Sequence, residues 1–207
     1  MHKAIKAFVD ASPGRSVDVE WKPYQIDPNT TKQGSTFGDY CQRRWGTSDP
    51  SWVHRLKSEG RKDGATFGNF KWVPNTSRAH QLVHYCASKG ISSTDRVNAL
   101  LFCAEYEDGE NISLVESLVG IGQKAADEEG TAIDAEELRN YLTSEEGKQE
   151  VEEEIDFGRR KYGIRGVPHF IVSATGDDSN KAAHRPYSFS GAQSSDTFVE
   201  VFEELAE

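Results

Sequence analysis

Residues 162–172 read YGIRGVPHFIV. The stretch joins a helix to a buried strand. Gly163 ends the helix, because a residue without Cβ takes the left-handed turn that stops one. His169–Val172 is apolar enough to be a strand. Between them sits Pro168, which has no N–H to give a ladder. From these residues alone, GVP reads as a rigid turn. It also raises the question of what the backbone edge at the opening of this strand faces.

Outward toward the N-terminus, SEEGKQEVEEEIDFGRRKYG carries Val151, Ile155 and Tyr162 at helical spacing. Its acid run is a solvated helix face. Outward toward the C-terminus, the strand HFIVS meets the polar loop ATGDDSNKAAHR and a second strand, PYSFSG. Two short strands joined by one loop predict an antiparallel hairpin. The closing helix, SSDTFVEVFEELAE, places Phe198, Val201, Phe202 and Leu205 on one face.

The chain opens on an amphipathic helix, HKAIKAFVDA, with Ile5, Phe8 and Val9 together. SVDVEWKPYQI then alternates, with Val17, Val19 and Trp21 against Asp18, Glu20 and Lys22, which predicts a strand. Helical patterns fill residues 36–161. Their starts are marked by Asp49-Pro50, by Thr76 or Ser77, and by capping boxes from Ser113 to Glu116 and from Asp134 to Glu137. A stop follows at Gly90. Helix, strand, helical stretch, two strands and helix predict an α/β layer fold.

The chain has 207 residues, 36% hydrophobic and 28% charged, with a formal net charge of −10. That charge repels phosphate backbones and argues against nucleic acid. No apolar run is long enough to span a membrane, and MHKAIKAFVDASPGR lacks a signal-like core, so the expectation is a cytoplasmic protein. Cys41, Cys86 and Cys103 are odd in number and widely spaced. They form neither a disulfide framework nor C-x-x-C. Cys86 and Cys103 fall on apolar helical faces, which predicts core packing. His80 and His84 stand four apart on one helix, a spacing that can bind metal, but no third ligand is evident.

Five segments in order carry a family resemblance: VDVEWKPYQIDP (17–28), VPNTSRAHQL (73–82), LFCAEYEDGENIS (101–113), YGIRGVPHFIV (162–172) and FSGAQSSDTF (189–198). Together they resemble DsbA-like thioredoxin-fold proteins, and most of all the FrnE-type branch. That family is related to hydroxychromene-carboxylate isomerases and kappa-class glutathione transferases. The resemblance implies a thioredoxin-like domain over residues 1–35 and 162–207, interrupted by a helical insertion over 36–161. It implies a cis bond before Pro168, which for proline costs little. It implies an edge at Val167 that pairs with an extended peptide or glutathione. His169, Ser190, Gly191, Ala192, Gln193, Asn75 and His80 are the further substrate-binding candidates. Asn75 also suits a helix cap, and His80 a loop tether or an inter-domain position.

The implied chemistry is thiol–disulfide exchange with no cofactor and no metal, with glutathione as substrate or reductant. The family's first strand and its C-x-x-C do not match any residue here. The chain starts, on this resemblance, inside the first helix, as a gene model one element short would. The strand at 17–21 is then expected to lack its central neighbour. Two other readings stay open: a glutathione-dependent isomerase or transferase relative, and a non-catalytic peptide- or thiol-binding module. The expected partner is a thiol- or disulfide-bearing peptide or glutathione, with a homodimer open.

Overall fold

A computed structural model of the chain describes residues 1–91, 94–175 and 185–206. It divides into two compact units, Met1–Val19 with Gly158–Glu207, and Glu20–Phe157. The division falls at 19/20 and 157/158, where the sequence reading puts it at 35/36 and 161/162.

The first unit holds helix α1 (His2–Ala11), a hairpin, and the closing helix, which spans Ser195–Ala206. The hairpin pairs His169–Val172 with Tyr187–Ser190, antiparallel, with His169 opposite Ser190 and Val172 opposite Tyr187. Alternation sends Phe170, Val172 and Phe189 to one face, where they pack on buried Ala4, Phe8, Phe198 and Phe202. Phe198 meets Phe170 edge-on, with ring centroids 4.9 Å apart, a favoured aromatic geometry. The other hairpin face carries His169, Ile171, Ser188 and Ser190. The loop expected over 174–185 lies mostly outside the described residues.

Residues 17–21 form no strand. The expected alternation is present, with Val17, Val19 and Trp21 half-buried and Asp18 and Glu20 exposed. No described strand lies alongside to complete a ladder. Side-chain pattern can set which face is buried, but strand status needs a backbone partner.

The second unit is helical. Its elements are β1 (Ser35–Thr36), α2 (Phe37–Trp45), α3 (Ser51–Lys62), β2 (Trp72–Val73), α4 (Ser77–Ser88) and α5 (Thr94–Phe102). A π-helical turn (Cys103–Asp108), α6 (Val115–Glu128), α7 (Ala135–Thr143) and α8 (Glu145–Tyr162) follow. With these named, the hairpin strands are β3 and β4 and the last helix α9. The short β1–β2 ladder was not foreseen, since two residues are too few for a periodicity. Helix α8 begins in the second unit and ends in the first.

Leu82, Leu118, Leu138 and Val97 are fully enclosed in the core of this unit. Asp134 caps α7 by accepting the Glu137 N–H at 2.7 Å, as its spacing predicts. The box expected at Ser113 does not form. Helix α6 starts at Val115, and the Ser113 hydroxyl accepts the Asn75 N–H at 2.8 Å instead. Glu116 forms a two-pronged pair with Arg139. Pro50, not Asp49, holds the N-cap position of α3. Cys86 is enclosed, but Cys103 is exposed, because the buried face here runs through Val97, Leu100, Leu101 and Ala104, and Cys103 falls off it. Among the described residues, no helix is long and apolar enough to cross a membrane.

Candidate functional site

The end of α8 and the start of β3 build the candidate site. Gly163, at φ 66°, turns the chain out of the helix, and its N–H returns to Arg159 O at 3.1 Å. The chain then reaches Val167, which is 45% exposed. The Val167–Pro168 peptide bond is cis. Pro168 O accepts the Gly191 N–H at 2.8 Å, closing the hairpin end. Among the described residues, neither the N–H nor the C=O of Val167 has a backbone partner.

His169 is clamped across the strands. Its Nδ1 lies 2.7 Å from Ser190 Oγ and its Nε2 3.1 Å from Ser188 Oγ. A hydroxyl can donate or accept, so this pair suits either imidazole tautomer. Gln193 Nε2 donates to Ser190 O at 3.2 Å and to Gly191 O at 3.4 Å, which folds its side chain over the turn. Gly191 takes φ 86°, a conformation a side chain resists, and Ala192 beside it is exposed. Val167, Pro168, His169, Ser190, Gly191, Ala192 and Gln193 thus belong to one hairpin end. Ser188 was missed by sequence reading. Its signal was the alternation in PYSFSG, which puts Ser188 and Ser190 on one face.

Asn75 and His80 belong to the second unit, where each is tied internally. Asn75 donates Nδ2 to Thr30 O at 2.8 Å and accepts the Ser77 N–H at 3.1 Å. Asn111 holds the same segment through Gln33 O at 2.8 Å. Asn75 therefore pins the loop at residues 30–33 to the start of α4, and Asn111 pins it to the segment ahead of α6. His80 Nε2 lies 3.1 Å from Tyr24 O, fastening the extended segment to α4. Burial disfavours the His80 imidazolium and lowers its pKa, while the Tyr24 carbonyl opposes the shift. His84 faces elsewhere, with Nδ1 3.0 Å from Tyr141 Oη and 3.3 Å from Glu150 Oε2. Among the described residues, no three His, Cys, Asp or Glu side chains converge as metal ligands.

The three thiols have the wrong electrostatics for a nucleophile. Burial pushes Cys86 up to about 12. Burial and then the charge of Asp49 raise Cys41. Burial and then Asp108 raise Cys103, whose Sγ lies 3.7 Å from that carboxylate. A reactive thiol needs cationic or helix N-terminal surroundings that prevail; Lys124 draws the Cys103 thiol down, but burial and the acidic neighbours outweigh it.

The family model described as DSBA-like thioredoxin domain matches residues 1–203. Among curated proteins, the chain is similar to the uncharacterized protein YwbO of Bacillus subtilis (strain 168). The two are 26% identical over 171 residues, which is 82% of this chain and 78% of that protein.

Proposed function

Because the chain belongs to the DSBA-like thioredoxin domain family, we propose that it works in thiol–disulfide exchange, as a FrnE-type member, with the Val167 edge docking the substrate. The observation that carries this reading is the family match, whose bounds, residues 1–203, include the hairpin end. In this reading residues 1–35 and 162–207 are the thioredoxin-like part, and residues 36–161 the helical insertion. The substrate is a disulfide-bearing peptide or glutathione in the cytoplasm, held by backbone pairing at Val167. The side chains of His169, Ser190 and Gln193 flank it.

Exchange needs a thiolate that attacks one sulfur of a disulfide and expels the other as thiolate. A second thiol then attacks the mixed disulfide and releases the first product. The dithiol ends oxidised and the substrate reduced, or the reverse when the potentials are reversed. Cys41, Cys86 and Cys103 do not supply that dithiol. The reading therefore requires a thiol pair brought to Val167 from outside residues 1–207.

The test is thiol alkylation with mass analysis of the protein purified from its native source, followed by reduction of a disulfide-linked peptide. The expected result is a rapidly alkylated pair, beyond the three cysteines here, with exchange that depends on it. A native protein holding only Cys41, Cys86 and Cys103, and inert toward the peptide, would end this reading.

A further inference from the structure

Helices α2 and α3 present an aromatic, basic surface that nothing in the proposed exchange reaction uses. Trp45, Trp52 and Leu56 are 46%, 41% and 39% exposed. Trp45 and Trp52 meet edge-on, with centroids 5.5 Å apart, and Phe37 supports Trp52 from behind at 6.1 Å. The Arg44 guanidinium lies 5.8 Å over the Trp45 ring. Helix α3 buries only Val53 of its twelve residues. Its Trp52–Leu56 stripe, at i and i+4, carries Arg55 beside it, and Lys62, further along, pairs with Glu59 at 2.8 Å. Exposed tryptophans beside arginines are the composition that dominates protein interfaces.

The charge is equally marked. Residues 37–62 hold six basic and three acidic side chains in a chain of net charge −10. The complement lies on the same molecule. Residues 145–156 of α8 hold seven acidic side chains and one lysine. On that helix Val151 and Ile155 face inward, whereas Glu146, Glu153 and the half-exposed Phe157 share an outer stripe at i, i+7 and i+11. That stripe offers acid and an aromatic ring to match base and aromatic rings.

We propose that the α2–α3 surface of one copy docks on the outer acidic stripe of α8 in a second copy. Both surfaces belong to the same compact unit, so a two-fold dimer makes the contact twice, each copy giving one of each. A second copy is favoured over an unrelated acidic protein because this chain itself carries both halves. Opposite charge sets the register and the encounter rate, and the aromatic rings supply the buried area.

Sedimentation velocity on the 207-residue chain tests this. At about 20 mM NaCl the chain is expected to dimerise reversibly with a micromolar dissociation constant, weakened at least tenfold by about 500 mM NaCl. Arg55→Glu with Lys62→Glu in one chain, and Glu146→Lys with Glu153→Lys in another, should each abolish the self-dimer. All four positions are exposed, so unchanged melting checks the folds. Mixing the two reversed chains should restore a one-to-one dimer, because one contact is then native and the other doubly reversed. A monomer at every concentration in low salt would overturn the proposal. So would a dimer indifferent to both reversals. Loss of the dimer in the α3 variant without rescue by the α8 variant would overturn it as well, because α3 would then dock on another face of the second copy.

Discussion

Glu105 and Glu107 lie two residues apart in the π-helical turn and experience opposite forces. Glu105 is buried, and desolvation raises its carboxyl to about 8, partly opposed by a hydrogen bond from Tyr106. Glu107 reaches the preceding loop. It accepts the Thr66 hydroxyl and the N–H groups of Thr66, Phe67 and Gly68, at 2.8, 3.0 and 3.2 Å for the last three. These bonds, led by the Thr66 hydroxyl, hold it down at about 2. The pH consequences have opposite signs. Glu107 is depressed, so its stabilisation is present above pH 4.5 and is lost as pH falls toward 2. Glu107→Gln should melt lower than the parent at pH 7, with the gap closing between pH 4.5 and 2. Glu105 is raised, so its cost is absent below pH 4.5, grows toward pH 8 and is complete above it. Glu105→Gln should therefore melt higher than the parent, increasingly so from pH 5 to 8.5. A shift from 4.5 to about 8 caps that gain at roughly 4–5 kcal/mol, at about 1.4 kcal/mol per unit. Thermal melts across the pH series check both, and parallel curves would refute both. Neither role was legible in LFCAEYEDGENIS. A carboxylate's partners lie about forty residues away, and sequence spacing does not encode them.

At the scale of elements, the close approaches decide what can change. A Cβ on Gly122 of α6 would meet Leu138 at 2.8 Å and Leu82 at 3.0 Å. Alanine is the better helix former by about 1 kcal/mol, yet overpacking here costs about 1–3 kcal/mol. Gly122→Ala should therefore be destabilising by roughly 0–2 kcal/mol in urea unfolding. A clear gain would mean that α4, α6 and α7 separate more easily than their fit suggests. The helices themselves were readable from the chain. Apolar spacing located α8, cap signals located α4, α6 and α7, and the Asp134 cap and the Gly90 and Gly163 stops fell where chemistry put them. Misreadings arose where a local signal met a distant competitor. Ser113 has the spacing of a cap, but Asn75 claims its hydroxyl. VDVEW has the alternation of a strand, but no described strand borders it. At the hairpin end, sequence found His169 and Ser190 but not their mutual hydrogen bond, which depends on the pairing register of β3 and β4.

At the scale of the molecule, the two units differ in how the chain makes them. The helical unit is one continuous run, Glu20–Phe157, with its own enclosed core around Leu82, Leu118 and Leu138. A fragment of residues 20–157 should therefore keep cooperative melting and near-parental helicity by circular dichroism. A fragment that melts without cooperativity would show that the helical core depends on the rest of the chain. Leu82→Ala in that fragment should cost about 2–5 kcal/mol, as a fully enclosed leucine does. The other unit is built from both ends of the chain, with α1 packed on α9 through Phe8 and Phe202 at 5.5 Å. During synthesis, that pairing sets an order. Helix α1 is translated well ahead of α9, its packing partner. At about 5–20 residues per second, its apolar face waits roughly ten to forty seconds for α9. Over that interval the nascent chain offers Ile5, Phe8 and Val9 to any chaperone nearby, while the helical unit can already close behind it.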